Sequence, residues 1–421
     1  MTTIDFHFET ISNRWPEIYE KFRSQTASDV EIAYEQNTLV INNIQLTSNY
    51  DRDKEAKLIV ETVPHHAREV NVFGVGLGDH IQVLLNRSAI VHVNVVILNY
   101  SVTLAALSAV DHPWLKDPRV NLIDASQIED VSQPFCALIS ELVLANDNYS
   151  RLRDRVLVEL DESGKLKNAR KRNFENSLFL NEVNIVQDPD VSTLITKLAP
   201  VQKIYIAAAG PTLEDHLPWL AANNDNILII AVDTAVPALV SMNIIPDVIF
   251  MIDEHTHMFF DSIDLDTLKK SVLVYFPTAN NNFISRWPRD KFCAYGSTID
   301  FNEINQKIRK SRLYSAGSVI HPSIDLGLQM GASEIILLGA DFSFIDSKSH
   351  ANLSAELYSK EEMSQSHHWV HNGQGGKNRT LANYRTYLRE LEIYISRNRH
   401  VQFYNGSLRG ALIEGTTLWQ H

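Results

Sequence analysis

The sequence predicts an α/β protein with two Rossmann-like parts. Apolar strand patterns alternate with helical patterns along most of the chain, as βαβ architectures require. Two strands run into turns of small residues, at Gly74–Gly78 and Ala208–Thr212. At 421 residues, with 44% hydrophobic and 21% charged residues, the chain has the composition of a globular protein and the length for several cores.

The patterns divide the chain into four segments. A helical pattern at Phe8–Ser24 and a hairpin-like alternation at Asp29–Leu46 begin the chain. We predict, in order, an α+β N-terminal region (1–60), a Rossmann-like module (61–150), a charged linker helix (151–183) and a larger α/β domain (184–421).

The larger domain is expected to contain seven strands and two long helices. The predicted strands are Lys203–Ala208, Ile227–Val232, Asp247–Ile252, Val272–Phe276, Phe292–Tyr295, Glu334–Leu338 and His400–Tyr404. The predicted helices are Val319–Met330 and Arg379–Ser396. The second carries an apolar face of Tyr384, Tyr387, Leu388, Leu391, Tyr394 and Ile395. Packing against the sheet and formation of a homo-oligomer both explain such a face.

Charge and cysteine content exclude several classes of protein. A net charge of −13 argues against nucleic acid as a partner. Cys136 and Cys293 lack the spacing of a disulfide framework or a thiolate zinc site. The longest apolar runs are too short to span a bilayer and the N-terminus is unlike a signal peptide, so a cytoplasmic location is expected.

The first glycine turn has the spacing Gly74, Gly76, Gly78, and Asp124 follows a later strand. This resembles the cofactor turn of methyltransferases, which usually place an acid at the end of the second strand. Asn99 stands there instead, and an amide is a poor acceptor for two ribose hydroxyls. A structural turn that keeps the motif is therefore favoured over a working S-adenosylmethionine site.

The second glycine turn is expected to bind a phosphate. Gly210, Pro211 and Thr212 connect an apolar strand to a helical pattern, which exposes backbone N–H groups at a helix start. Thr212 is placed as the N-cap, with Asp215 completing an imperfect capping box.

Carboxylates follow the neighbouring strands. Asp233 and Asp253 each end a predicted strand, and Asp341 follows Gly339 after another. Because parallel strands end at the same edge of a sheet, these acids are expected to converge on one crevice.

Histidines at 350, 367, 368 and 371 follow in a polar stretch. Zinc ligands, ordinary loop histidines and a catalytic or phosphate-facing histidine are the three interpretations. No cysteine accompanies the histidines, and Asn372 and Gly373 interrupt the helix that a His-x-x-x-His site needs. No metal is therefore predicted.

The order of these motifs resembles the motility-associated flagellin glycosyltransferases (Maf proteins). The resemblance rests on the motifs Trp15–Tyr19, Leu46–Arg52, Phe73–His80, Gly210–Leu213, Ile245–Asp247, Asp253, Gly317–Val319, Gly339–Asp341, His350–Ala351 and Gly410–Gly415. Ala340 stands where many Maf proteins have glutamine.

The core also resembles bacterial sialyltransferases that use CMP-activated nonulosonic acids without a metal. That resemblance implies a sialyltransferase-like catalytic domain with no cofactor beyond the CMP-sugar donor (pseudaminic, legionaminic or sialic type). The resemblance to Maf proteins implies flagellin Ser/Thr as acceptor, and the departure at Ala340 leaves a surface glycan as the other acceptor. The sialyltransferase resemblance implies His371 as general base and His350 near the leaving phosphate, where sialyltransferases use tyrosines that the sequence does not show beside His350. The implied donor-binding residues are Gly210, Pro211, Thr212, Asp233, Asp253, Gly317, Ser318, Gly339 and Asp341.

Two other functions stay open. The Gly-Pro-Thr turn and the paired aspartates are similar to those of archaeal 6-hydroxymethylpterin diphosphokinases. Such an enzyme would use ATP, with Asp233 and Asp253 on magnesium, although no P-loop is present. A non-catalytic partner in flagellar or surface-glycan assembly is the third possibility.

Overall fold

The computed structural model describes residues 3–25, 30–128, 131–161, 165–351, 363 and 368–420. The chain forms two compact units, Met1–Gly164 and Lys165–His421. The predicted linker segment contains the helices Ser150–Asp161 and Lys165–Leu180, and its residues 162–164 lie outside the described part.

The first unit contains a three-stranded antiparallel sheet and a four-stranded parallel sheet. Its strands are β1 (Ile32–Tyr34), β2 (Leu39–Ile41), β3 (Ile44–Gln45), β4 (Glu69–Phe73), β5 (His92–Ile97), β6 (Val120–Asp124) and β7 (Phe135–Ala137). Its helices are α1 (Thr3–Arg14), α2 (Pro16–Arg23), α3 (Arg52–Val60), α4 (Asp79–Leu85), α5 (Tyr100–Ala109), α6 (Ile139–Val143) and α7 (Ser150–Asp161). The parallel sheet has the order β6-β5-β4-β7, which confirms the predicted α/β class for this module.

The glycine turn between β4 and α4 is filled by a side chain of the protein. The carboxylate of Glu141, which is fully buried, accepts a hydrogen bond from the N–H of Gly76. A Cβ added to Gly74 would lie only 2.9 Å from the Cβ of Glu141. Asn99 caps α5, because its side-chain oxygen accepts from the N–H groups of Ser101 (3.0 Å) and Val102 (3.3 Å). Both observations fit a structural turn better than a cofactor site.

The second unit is built on an eight-stranded sheet whose pairings are all parallel. The strands described in this unit, including those of two smaller sheets, are β8 (Lys203–Ala207), β9 (Leu228–Val232), β10 (Val248–Met251), β11 (Val272–Tyr275), β12 (Lys291–Cys293), β13 (Tyr295–Gly296), β14 (Arg312–Leu313), β15 (Glu334–Leu338), β16 (His368–His371), β17 (Lys377–Thr380), β18 (Gln402–Asn405) and β19 (Thr417–Leu418). The sheet order is β12-β11-β10-β9-β8-β15-β18-β19. The pairs β13–β14 and β16–β17 are separate two-stranded sheets.

Helices surround this sheet. They are α8 (Lys165–Leu180), α9 (Glu182–Gln187), α10 (Val191–Leu198), α11 (Leu217–Asn223), α12 (Val236–Ser241), α13 (Asn281–Arg286), α14 (Asn302–Lys307), α15 (Ile320–Gln329) and α16 (Ala382–Arg397). Residues of β10 are buried throughout, as expected for a parallel strand covered on both faces. In α16, Leu388, Leu391 and Ile395 are buried in the core of this unit. Packing therefore explains its apolar face, and that face gives no support to self-association.

The order of the strands in the eight-stranded sheet indicates where a ligand would bind. The chain runs outward from β8 through β9 to β12 and then returns to the other side of β8 with β15. Ligands of such sheets bind where the direction reverses, at the carboxyl ends of the two strands concerned.

All seven predicted strands of this unit are present, within a few residues of their expected bounds. The sequence indicates only a polar stretch around His371, whereas the structure has the antiparallel hairpin β16–β17 there. Among the described residues, no helix has the length and apolarity to cross a membrane.

The buried carboxyl group of Glu141 yields a pH-dependent prediction. Burial raises its pKa from 4.5 to about 7, so the folded protein holds a proton that the unfolded chain has lost between these pH values. Wild-type stability is therefore expected to fall as the pH rises from 4.5 through 7, by up to about 3 kcal/mol from this group. Glu141→Gln should remove that part of the pH dependence.

Thermal unfolding of both proteins at pH 5 and pH 8 measures the effect. The difference in melting temperature between the variant and the wild type should shift in favour of the variant at pH 8. Glu69→Gln, at an exposed position of β4, is the matched control. An identical pH dependence in Glu141→Gln and wild type would contradict the prediction.

Candidate functional site

A cavity of about 120 Å³ lies at the carboxyl ends of β8 and β15, where the strand order reverses. We call it the switch-point cavity. Its lining comes from the ends of β8, β9 and β15, the start of α15, the segment before residue 351 and one face of α16. The lining residues are Ala208, Ala209, Gly210, Val232, Thr234, Ser318, Val319, Ile320, Gly339, Ala340, Asp341, Phe342, Ser343, Ser349, His350, Tyr384 and Tyr387.

A buried carboxylate joins the two central strand ends. Asp341, 2% exposed, accepts hydrogen bonds from the N–H of Thr212 at 2.8 Å and from its hydroxyl at 2.5 Å. Burial raises the pKa of Asp341 to about 6, although both bonds from Thr212 and the charge of Arg409 oppose the rise. The turn after β8 is thus bonded to the turn after β15.

The predicted capping role of Thr212 is wrong. The helical segment after Gly210 is a 3₁₀ helix, Pro211–His216, capped by Gly210 without a side-chain hydrogen bond. The side chain and N–H of Thr212 are directed to Asp341 instead, and Asp215 bonds Arg409 at 2.7 Å. A carboxylate distant in sequence competes successfully for the donors that a local cap would have used. Because these donors are engaged, a phosphate at this turn would have to use other groups.

Gly210 and Gly339 are required by the close approach of the two turns. The N–H of Gly210 donates to the carbonyl of Gly339 at 2.8 Å. A Cβ on Gly210 would lie 2.5 Å from that carbonyl oxygen, and Gly339 has φ +67°, which favours glycine. Both predicted site glycines therefore lie at the cavity. The role that the structure shows for them is to let the two turns pack closely.

The start of α15 forms another wall of the cavity. Ser318, Val319 and Ile320 line it, so the positive end of a ten-residue helix is directed toward the carboxyl edge of the sheet. Gly317 has φ +86°, and a Cβ there would lie 2.6 Å from the Tyr387 ring. Gly317 thus permits the close approach of α16, and Ser318 itself lines the cavity.

His350 lines the cavity. Its Nδ1 is 3.0 Å from the hydroxyl of Ser349, and the N–H of Ala351 donates to the carbonyl of Ala209 at 2.8 Å. That backbone bond anchors the segment over the end of β8. Burial lowers the pKa of His350 to about 4, so the ring is neutral at pH 7.

Two tyrosines of α16 stand in the same cavity. The sequence showed no tyrosine beside His350, yet Tyr384 and Tyr387 line the cavity with it, their ring centroids 6.4 Å apart. The expectation that no tyrosine accompanies His350 is therefore wrong. One turn of a helix brings together residues spaced by three positions, but only the tertiary fold brings them to His350.

The paired aspartates converge beside the cavity. Asp233 is 1% exposed, and its carboxylate accepts from the hydroxyl of Thr256 at 2.5 Å and from the N–H of Thr234 at 2.8 Å. Burial raises its pKa to about 7, and the nearby charge of Asp253 adds to the rise. Desolvation also raises the pKa of Asp253. Thr234, rather than Asp233, is the residue that lines the cavity.

His371 ends β16 and is exposed. It is not among the described residues that line the cavity. Its hairpin is nonetheless bonded to the cavity wall, because Asn378 donates to the hydroxyl of Ser343 at 3.2 Å and Thr380 to the carbonyl of Phe342 at 2.6 Å. His367 lies outside the described residues. Within the described ranges, no group of three His, Cys, Asp or Glu side chains is arranged to hold a metal ion.

Comparisons with known proteins agree with part of this description. Residues 176–347 match the family model described as 6-hydroxymethylpterin diphosphokinase MptE-like, which confirms the predicted resemblance of the core to that domain. A structure of the Maf glycosyltransferase from Magnetospirillum magneticum AMB-1 is similar, with 16% sequence identity and a TM-score of 0.48. The similarity covers 99% of this chain and 74% of that one. No curated protein matches the sequence.

The bond between Asp341 and Thr212 predicts a large effect on stability. Asp341→Ala leaves a buried N–H and a buried hydroxyl without their acceptor, so we expect a loss of about 2–4 kcal/mol in the free energy of unfolding. Asp225→Ala, at an exposed position of the same unit, is the control. It should cost less than about 0.5 kcal/mol. Urea unfolding measures both, and equal losses would contradict the assignment.

Proposed function

We propose that the protein is a glycosyltransferase that moves a nonulosonic acid from a CMP-activated donor to a hydroxyl of flagellin Ser/Thr or of a surface glycan. The observation that carries the proposal is the switch-point cavity. It brings Gly210, Ser318, Gly339, Asp341 and His350 to one place, although they come from separate motifs of the chain. The order of those motifs resembles Maf proteins and sialyltransferases.

The cavity fits the phosphate end of the donor. Its volume of about 120 Å³ is below the roughly 300–1,000 Å³ of whole-ligand pockets, so it would hold part of the donor. The start of α15 favours negative charge, and neutral His350 and the hydroxyls of Tyr384 and Tyr387 are hydrogen-bonding groups for a phosphate. The leaving group, CMP, is a phosphate monoester and develops less negative charge than a diphosphate. Uncharged hydrogen-bond donors such as the tyrosine hydroxyls are therefore suited to it.

The proposed reaction is a direct displacement. The acceptor oxygen attacks the anomeric carbon, the C–O bond to CMP breaks, and its electron pair leaves with CMP. The hydroxyl proton passes to His371, the proposed general base. The bonds from Asn378 and Thr380 to the cavity wall support this role, because they attach the hairpin of His371 beside the proposed leaving-group position. Asp233 and Asp253 would bind donor or acceptor hydroxyls.

A second candidate is a diphosphokinase-like transfer from ATP. The family model matching residues 176–347 carries that description. In this reaction Asp233 and Asp253 would hold magnesium, and their proximity is consistent with the assignment. The two candidates differ in nucleotide and in metal requirement.

Calorimetric titration separates the two candidates. We expect CMP to bind with micromolar affinity that EDTA does not change, and ATP to bind weakly with or without magnesium. Magnesium-dependent ATP binding with no response to CMP would refute the glycosyltransferase and favour the diphosphokinase. Absence of binding by either nucleotide would favour a non-catalytic protein.

Substitution of the two histidines tests their separate roles. His371→Ala should reduce transfer by about 10²–10⁴-fold, with CMP affinity unchanged, because it removes only the base. His350→Ala should weaken CMP binding by about tenfold through loss of a hydrogen bond to phosphate. His400→Ala, an exposed histidine before β18, is the matched control. CMP release from a CMP-nonulosonic acid measures transfer, and normal turnover in His371→Ala would remove this residue from the base role.

A further inference from the structure

A second, larger cavity lies at the same edge of the eight-stranded sheet. Its volume is about 400 Å³, and we call it the α13 cavity. Asn280, Asn282, Phe283 and Arg286 line it from α13 and its N-cap, and His257, Phe260 and Asp261 line it from the opposite side. The first group follows β11 and the second follows β10, so the cavity stands at the carboxyl ends of those two strands.

The two cavities are linked through one hydrogen bond. Val232 and Thr234, on either side of Asp233, line the switch-point cavity. The carboxylate of Asp233 accepts from the hydroxyl of Thr256, and the next residue, His257, lines the α13 cavity. The Asp233–Thr256 pair therefore connects the walls of both cavities.

The lining of the α13 cavity offers donors, acceptors and aromatic surface. Nδ1 of His257 is 2.7 Å from the carbonyl of Glu254, to which it donates, so Nε2 is the ring nitrogen that a ligand hydroxyl could contact. The side-chain oxygen of Asn280 accepts from the N–H of Phe283 at 3.0 Å, which directs its amide N–H groups elsewhere as donors. Arg286 adds a charged fork of donors, and Phe260 adds an apolar ring.

We propose that the α13 cavity binds one sugar unit of a glycan acceptor, at a distance from the hydroxyl that His371 would deprotonate. A sugar ring presents hydroxyls that both donate and accept, together with apolar C–H faces that pack on aromatic rings. The cavity provides a partner for each of these features. Its volume falls within the usual range for small-ligand sites, whereas the switch-point cavity does not.

The division of the edge follows from this assignment. The donor phosphate would lie over β8 and β15, and the sugar unit in the α13 cavity would lie over β10 and β11, with the Asp233–Thr256 pair between them. The reacting hydroxyl beside His371 would then belong to another part of the same glycan. The inference rests on the proposed function, because an acceptor site has a meaning only for a transferase.

Ligand-observed saturation-transfer NMR on the full chain tests the proposal. The probes are methyl β-D-galactopyranoside and N-acetyl-D-glucosamine at millimolar concentration, with glycerol as the non-sugar control. Wild type should transfer saturation to the ring protons of at least one sugar and not to glycerol. Arg286→Ala and Asn282→Ala should each weaken that binding, Arg286→Ala by about tenfold because a charge-assisted hydrogen bond is lost. Arg289→Ala, an exposed arginine outside the lining, should bind as wild type does.

The outcomes distinguish this inference from the proposed function. Sugar binding that is lost in the Arg286 and Asn282 variants and kept in Arg289→Ala supports the site. Absence of saturation transfer in the wild type, or equal binding by all the variants, overturns it. A Ser/Thr-rich peptide that binds in place of either sugar and depends on Arg286 also overturns it. CMP titration of the same proteins reports on the donor site separately, so CMP binding without sugar binding refutes the acceptor site alone.

Discussion

The two hydrogen bonds from Thr212 to the buried carboxylate of Asp341 are the constraint on which the second unit depends. They join residues 129 positions apart and hold the ends of the two strands between which the sheet order reverses. Gly210 and Gly339 permit the contact, because a side chain at either position would collide with the opposite turn. The neighbouring cavity is therefore formed by a rigid backbone junction, and His350 is attached to it through the N–H of Ala351. Rigid elements of this kind position functional groups more accurately than loops do.

Much of the fold could be predicted because buried parallel strands read as short, continuous apolar runs. The strand that ends at Leu338, for example, is clear from the sequence, and so is the polar turn that contains Asp341. The acceptor of the Thr212 donors could not be predicted, because the local sequence favours a helix cap. It gives no information about a carboxylate 129 residues away that becomes a neighbour only in the folded chain. The same reason explains why the sequence offered only packing or self-association as roles for Tyr384 and Tyr387, and no place in a cavity. Residues that meet only through the tertiary fold carry no local periodicity that would reveal them.

In the proposed assignment, donor and acceptor groups bind over different strands of the sheet's carboxyl edge. The narrow cavity over β8 and β15 is bordered by backbone turns and a helix start, which suit a compact anion. The wider cavity over β10 and β11 is bordered by amide, guanidinium, imidazole, carboxylate, aliphatic and aromatic groups, a mixture of polar and apolar surface that suits a sugar ring. Thr256, bonded to Asp233, couples the geometry of the two regions, so that a shift in one backbone segment would be felt in both. If both proposals hold, specificity for the donor and for the acceptor would depend on separate sets of side chains on one sheet.

The carboxylate of Glu141 in the first glycine turn has a consequence for how this unit responds to its surroundings. A turn that recruits a free metabolite gains stability in proportion to the logarithm of that metabolite's concentration. Here the N–H of Gly76 is already satisfied by a covalently attached carboxylate, whose effective concentration never changes. The stability of this turn therefore does not depend on the concentration of a bound metabolite, although it does depend on pH through the carboxyl group of Glu141.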